Sequence, residues 1–107
     1  MVSKNYEIKK YEKLVPIPDK LKNEMRRVFN KHDPISIFYD NKINFDEYDP
    51  EIELIMLNLK KIKDYRGFLK LVYQVFQKMF SKEIAGKIED YDKLAKEIFK
   101  ILKKSRQ

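Results

Sequence analysis

Side chains able to act as nucleophiles are few: four serines (Ser3, Ser36, Ser81 and Ser105), no cysteine and no threonine, with His32 the sole imidazole in 107 residues. None of the serines stands near His32 in an arrangement used for acyl transfer. His32 beside Asp33 could form an acid–base pair, but neighbouring residues on a chain seldom face one another. A histidine at a helix end serves more often as a cap or a packing residue. Gly67 and Gly86 stand alone, so there is no glycine-rich phosphate loop. The carboxylates Asp46, Glu47, Asp49, Glu51 and Glu53 could hold a hard cation, yet they lack the alternate spacing and central glycine of the calcium loop. The chain is therefore expected to be no enzyme and to carry no cofactor and no metal.

What remains is charge, and it is unevenly spread. The net charge of +7 divides into +5 over residues 1–31, −6 over 32–56, +5 over 57–80 and +3 over 81–107. The acidic segment coincides with a loss of helical periodicity between Lys31 and Asp49, which makes it a candidate contact surface. Asp40, Asp46, Glu47, Asp49, Glu51 and Glu53 would meet a basic protein partner there, with Tyr39 and Tyr48 as anchors. The alternative surface is basic. Lys60, Lys61, Lys63, Arg66 and Lys70 could track the phosphates of a nucleic acid, and a second cluster, Lys96, Lys100, Lys103, Lys104 and Arg106, crowds the end of the chain.

The elements that must position these groups are helices. Leu21, Met25, Val28 and Phe29 form one stripe after Pro18, giving a first helix over 18–32 that Asp33-Pro34 breaks. Residues 1–17 read as an N-terminal arm, and Ile35–Phe45 as an irregular acidic loop or a short hairpin. Asp49-Pro50 signals the start of a second helix over 50–63, with Asp49 as its N-cap. Its apolar residues Ile52, Leu54, Ile55, Met56, Leu57, Leu59 and Ile62 spread beyond one stripe, so it should be buried on more than one side. Asp64 caps a third helix over 65–80, a short turn spans Lys82 to Ala85, and a last helix covers 90–104. The expected fold is all-α: a single domain over 1–107, a compact four-helix bundle with the acidic loop between helices one and two.

The residues His32-Asp-Pro-Ile-Ser-Ile37 followed by Asp46-Glu-Tyr-Asp49 resemble the signature of a group of small uncharacterised helical bacterial proteins. That signature reads W-D-P-[IL]-G-[IV], then D-E-Y-D-x-Y; here His32, Ser36 and Glu51 depart from it. The resemblance spans roughly residues 25–80 and implies a helical fold and a protein-binding role of the immunity or antitoxin kind. Physically, Asp33 and Asp49, each before a proline, could pin the loop through backbone amides, with Tyr48 as an amphipathic plug.

No stretch approaches the roughly 18 apolar residues of a membrane span, and the first residues contain no signal-peptide core. With no cysteine, a cytoplasmic location is expected. The leading functional expectation is an immunity or inhibitor protein that occludes a toxin or effector; the alternative is a basic nucleic-acid-binding accessory protein.

Overall fold

A computed structural model describes residues 17–36 and 46–105, and these form helices and turns with no strand among them. Residues 1–16 of the expected arm over 1–17, residues 37–45 of the expected loop or hairpin, and the site candidates Tyr39 and Asp40 lie outside the described residues.

Helix α1 (Asp19–His32) starts behind the fixed backbone of Pro18, whose carbonyl accepts from the Lys22 amide at 2.9 Å. It buries Leu21, Met25, Val28 and Phe29, the stripe read from the sequence, and ends where Asp33 turns left-handed at φ 42° and donates its amide to the Phe29 carbonyl. A short polar side chain makes that conformation tolerable.

Helix α2 (Asp49–Leu57) is shorter than its apolar periodicity predicts. It stops at Asn58, whose side-chain amide donates to the Leu54 carbonyl at 2.8 Å while its backbone amide is shared between the Leu54 and Ile55 carbonyls at 3.3 and 3.2 Å, a tightening of the last turn. A 3₁₀ turn over Leu59–Lys61 and an extended Ile62 follow, so Lys63 sits on a connector rather than a helix. The start also differs from expectation. Tyr48 occupies the cap position without a side-chain cap, and the Asp49 carboxylate is used elsewhere. Every residue from Asp49 to Ile55 is buried, which bears out a helix enclosed on several sides.

Helix α3 (Tyr65–Met79) has the expected Asp64 cap, whose carboxylate accepts from the Gly67 amide at 2.8 Å. The single turn α4 (Lys82–Ala85) is capped by the Ser81 hydroxyl. Gly86 then reverses the chain at φ 79°, a conformation that favours glycine, and an added Cβ there would lie 3.2 Å from an Asp90 oxygen. The Tyr91 and Tyr73 hydroxyls donate to the Ala85 and Gly86 carbonyls, both at 2.6 Å, holding this corner. A 3₁₀ turn over Ile88–Tyr91 leads into α5 (Asp92–Ser105), which begins two residues later than expected.

The fold is thus all-helical, with five α-helices rather than four in the described residues. The pairs α1·α5, α5·α3, α3·α2 and α2·α1 all pack together, so the long helices close on one another around a shared core. Phe76 lies at its centre, with the rings of Phe29, Tyr48, Phe80 and Tyr91 between 5.0 and 6.1 Å away. Among the described residues no helix is long and apolar enough to cross a membrane.

Candidate interaction surfaces

The acidic segment folds inward. Tyr48 is 1% exposed, Glu51 0%, Glu53 1% and Asp49 8%, whereas Asp46 is exposed and Glu47 half-buried. Four of the eight residues expected to face a partner are therefore interior, which corrects that expectation, and the counter-charges of Asp49 and Glu53 belong to the same chain. Arg26 on α1 grips Asp49 with both ends of its fork, Nε to Oδ1 at 2.8 Å and Nη2 to Oδ2 at 2.6 Å. One turn earlier, Lys22 Nζ reaches Glu53 Oε1 at 2.8 Å and lies 3.7 Å from Asp49.

The seam has electrostatic consequences. Burial acts to lower the pKa of the Lys22 ammonium, but the hydrogen bond to Glu53 and the charges of Asp49 and Glu53 outweigh it, leaving the pKa above its ordinary value. The Arg26 guanidinium is shifted upward chiefly by its hydrogen bond to Asp49. Sequence reasoning missed Lys22 and Arg26 as partners, although a signal was present. Each pair, 22 with 26 and 49 with 53, is spaced by four residues, so two helices can align them rung against rung.

The two halves of the sequence motif do come together. Tyr48 donates its hydroxyl to Asp33 Oδ1 at 2.5 Å, linking the end of α1 to the start of α2. Asp33 pins the turn differently from the expected capping of amides by its side chain: its backbone carbonyl accepts from the Ser36 amide at 3.0 Å, while its carboxylate holds Tyr48. Ile35 packs against the core behind them. His32, the departure from the motif's tryptophan, places Nε2 2.7 Å from Glu97 Oε1 on α5, beside Lys31 on the same carboxylate. Hydrogen bonds from Lys31, first, and His32 hold the Glu97 carboxyl below its ordinary range. This is a tie between helices. Among the described residues no three His, Cys, Asp or Glu side chains are grouped to hold a metal ion.

The basic residues, by contrast, stay outside. Lys60, Lys61, Lys63, Arg66 and Lys70 are all exposed on the 3₁₀ turn, the connector and the first turns of α3. Of the second cluster, Lys103 reaches the same region, and Arg106 lies outside the described residues. A cleft of about 100 Å³ is lined by Leu59, Ile62 and Lys63 from the connector and by Phe99, Leu102 and Lys103 from α5. One lysine from each run, Lys63 and Lys103, therefore flanks one apolar floor.

That floor is built of packed rings. Phe99 meets Phe68 at 5.4 Å and Tyr65 edge-on at 5.7 Å, and Lys103 Nζ lies 5.0 Å from its centroid. Tyr65 is itself fixed, its hydroxyl 2.5 Å from Asp92 Oδ1 and 2.9 Å from the Asp92 carbonyl. Burial, reinforced by this acceptor, raises the phenol's pKa beyond its ordinary range. The same bond, aided by Lys96, lowers that of Asp92. Lys96 is engaged by Asp92 at 3.1 Å, which leaves Lys63 and Lys103 as the cations on the cleft walls. Phe99 was missed in the sequence because it falls beside the stripe of Leu94, Ile98 and Leu102 rather than on it. Comparison of the chain with protein-family models, with curated proteins and with solved structures gives no match.

Proposed function

We propose that the protein is a non-enzymatic, cytoplasmic binding module of the immunity or inhibitor kind, which neutralises a toxin or effector by docking on it through the basic face around the cleft. The observation that carries this reading is the convergence of exposed lysines from two distant segments on an apolar floor. Protein interfaces combine an apolar centre with a polar rim, and complementary charge speeds encounter and rejects wrong partners. The exposed Asp46 and the half-buried Glu47 contribute at most a secondary contact, because Asp49 and Glu53 are committed to Lys22 and Arg26 and Glu51 is buried.

The test is capture from host lysate with the wild-type chain and with Lys63→Glu/Lys103→Glu, in nuclease-treated and untreated arms. A stoichiometric protein retained after nuclease by the wild type, and lost with the charge reversal, is the expected result. Equal capture by both chains would remove the basic face from the reading.

The alternative is a nucleic-acid-binding accessory protein, favoured by the exposure of all five of Lys60, Lys61, Lys63, Arg66 and Lys70. It predicts an affinity for duplex or single strands that falls steeply with salt and disappears in a Lys61/Lys63/Arg66 triple alanine variant. Lysine outnumbers arginine in this cluster, whereas arginine is the better reader of bases, so any such binding would follow the backbone rather than the sequence.

A further inference from the structure

We infer that the cleft between the connector and α5 is a socket for one aliphatic side chain on an acidic segment of a partner protein, with carboxylates on either side of that side chain paired to Lys63 and Lys103. The inference rests on the binding reading above and names the chemistry of the partner. The volume sets the size of the guest. About 100 Å³ is smaller than the roughly 150 Å³ cavity that accommodates a benzene molecule, so the socket suits a leucine- or valine-sized group rather than an aromatic ring or a nucleobase.

The walls set its chemistry. Leu59, Ile62 and Leu102 present aliphatic surface, and Leu102 is only 4% exposed, so a guest would complete packing against the edge of the core. Phe99 is the one ring in the lining, and it already packs against Tyr65 and Phe68 while Lys103 covers it. A base therefore has no open aromatic face on which to stack, and single-strand binders depend on such faces. Lys63 from the connector and Lys103 from α5 are both exposed on the rim, which is the placement that charge-complementary docking of a short acidic segment requires.

The experiment uses the whole chain and three labelled probes read by fluorescence anisotropy: a peptide of Asp and Glu with one central Leu, the same peptide with central Ala, and an oligo-dT strand of equal length. The expected result is that the Leu peptide binds about tenfold more tightly than the Ala peptide, the ratio that burying a larger side chain supports, and that Lys63→Glu/Lys103→Glu abolishes binding of both. Equal binding of the two peptides would overturn the socket while leaving a basic docking face intact. Binding of oligo-dT alone would overturn the socket and the protein-binding reading together. Binding of neither peptide, or Leu-dependent binding that survives the charge reversal, would likewise overturn the socket, and the lysate experiment above then decides separately whether the docking reading stands. Both substituted lysines are exposed, and circular dichroism of the variant checks that the helices persist.

Discussion

The seam between α1 and α2 and the cleft between the connector and α5 use the same materials to opposite ends. Each joins charged side chains to an apolar floor at a meeting of two segments. In the seam, Arg26 and Lys22 find Asp49 and Glu53 within 2.6 to 2.8 Å, and the carboxylates are withdrawn from solvent. In the cleft, Lys63 and Lys103 face solvent across a hollow. A run of like charge in a sequence thus has no fixed meaning: what decides between structure and contact surface is whether the chain places opposite charge across from it.

The contrast is broken most forcefully by removing one charge from each region. Arg26→Met strands the buried Asp49 carboxylate and should cost about 3 kcal/mol, the low end for breaking a buried pair because Lys22 remains 3.7 Å away. Lys63→Met, from an exposed position, should change stability by no more than about 0.5 kcal/mol. Urea midpoints at unchanged slope measure both, and comparable losses would show that the two regions are not different in kind.

Next in size is the staple beside the seam. Tyr48→Phe deletes the hydroxyl donated to Asp33 while keeping the ring against Phe29 and Phe76, and should cost about 1.5 kcal/mol, as for a hydrogen bond to a charged group. A loss below the error of the denaturation experiment would mean that Asp33 is served equally well by water.

The smallest effects are in pH. Glu97 is held below its ordinary value of 4.5, so the folded chain binds fewer protons there than the unfolded one. Its contribution is present above about pH 4.5 and is lost as pH falls through the folded value, and Glu97→Gln should flatten that acid limb. The carboxylate is 39% exposed, so the change stays near 0.5 kcal/mol after screening. Lys22 behaves oppositely. Its value is raised above 10.5, so its contribution is complete below that pH and is lost as pH climbs through the folded value; Lys22→Met should flatten the alkaline limb. Paired thermal melts across pH for each variant separate the two limbs.

Local signals carried much of the fold. Pro18 before α1, Asp64 at the head of α3, and Ser81 and Gly86 around α4 act within a few residues of themselves, so they can be read along the chain. The end of α2 was not legible. Leu59 and Ile62 continue its period, yet the backbone tightens at Asn58, whose amide is shared between the Leu54 and Ile55 carbonyls, and the chain leaves the helix there. The fate of the acids was hidden for a different reason. Asp49 and Glu53 are paired across 23 and 31 residues, and a charge count along the sequence contains no information about which helices lie side by side. The cleft was invisible likewise: two lysine runs were each apparent, but the meeting of Lys63 and Lys103 beside Phe99 depends on α5 packing against α3.

Helix α2 has one more consequence, and it concerns the chain before it folds. Nine residues are too few to hold a helix alone, so Ile52, Leu54, Ile55, Met56 and Leu57 emerge from synthesis as an unprotected apolar string, the composition from which intermolecular association starts. Asp49, Glu51 and Glu53 interrupt and flank that string, and like charge at these positions opposes its pairing with another copy before α2 packs against α1. Asp49 and Glu53, which clasp two helices in the finished molecule, thus also break up the most apolar run of the unfolded chain.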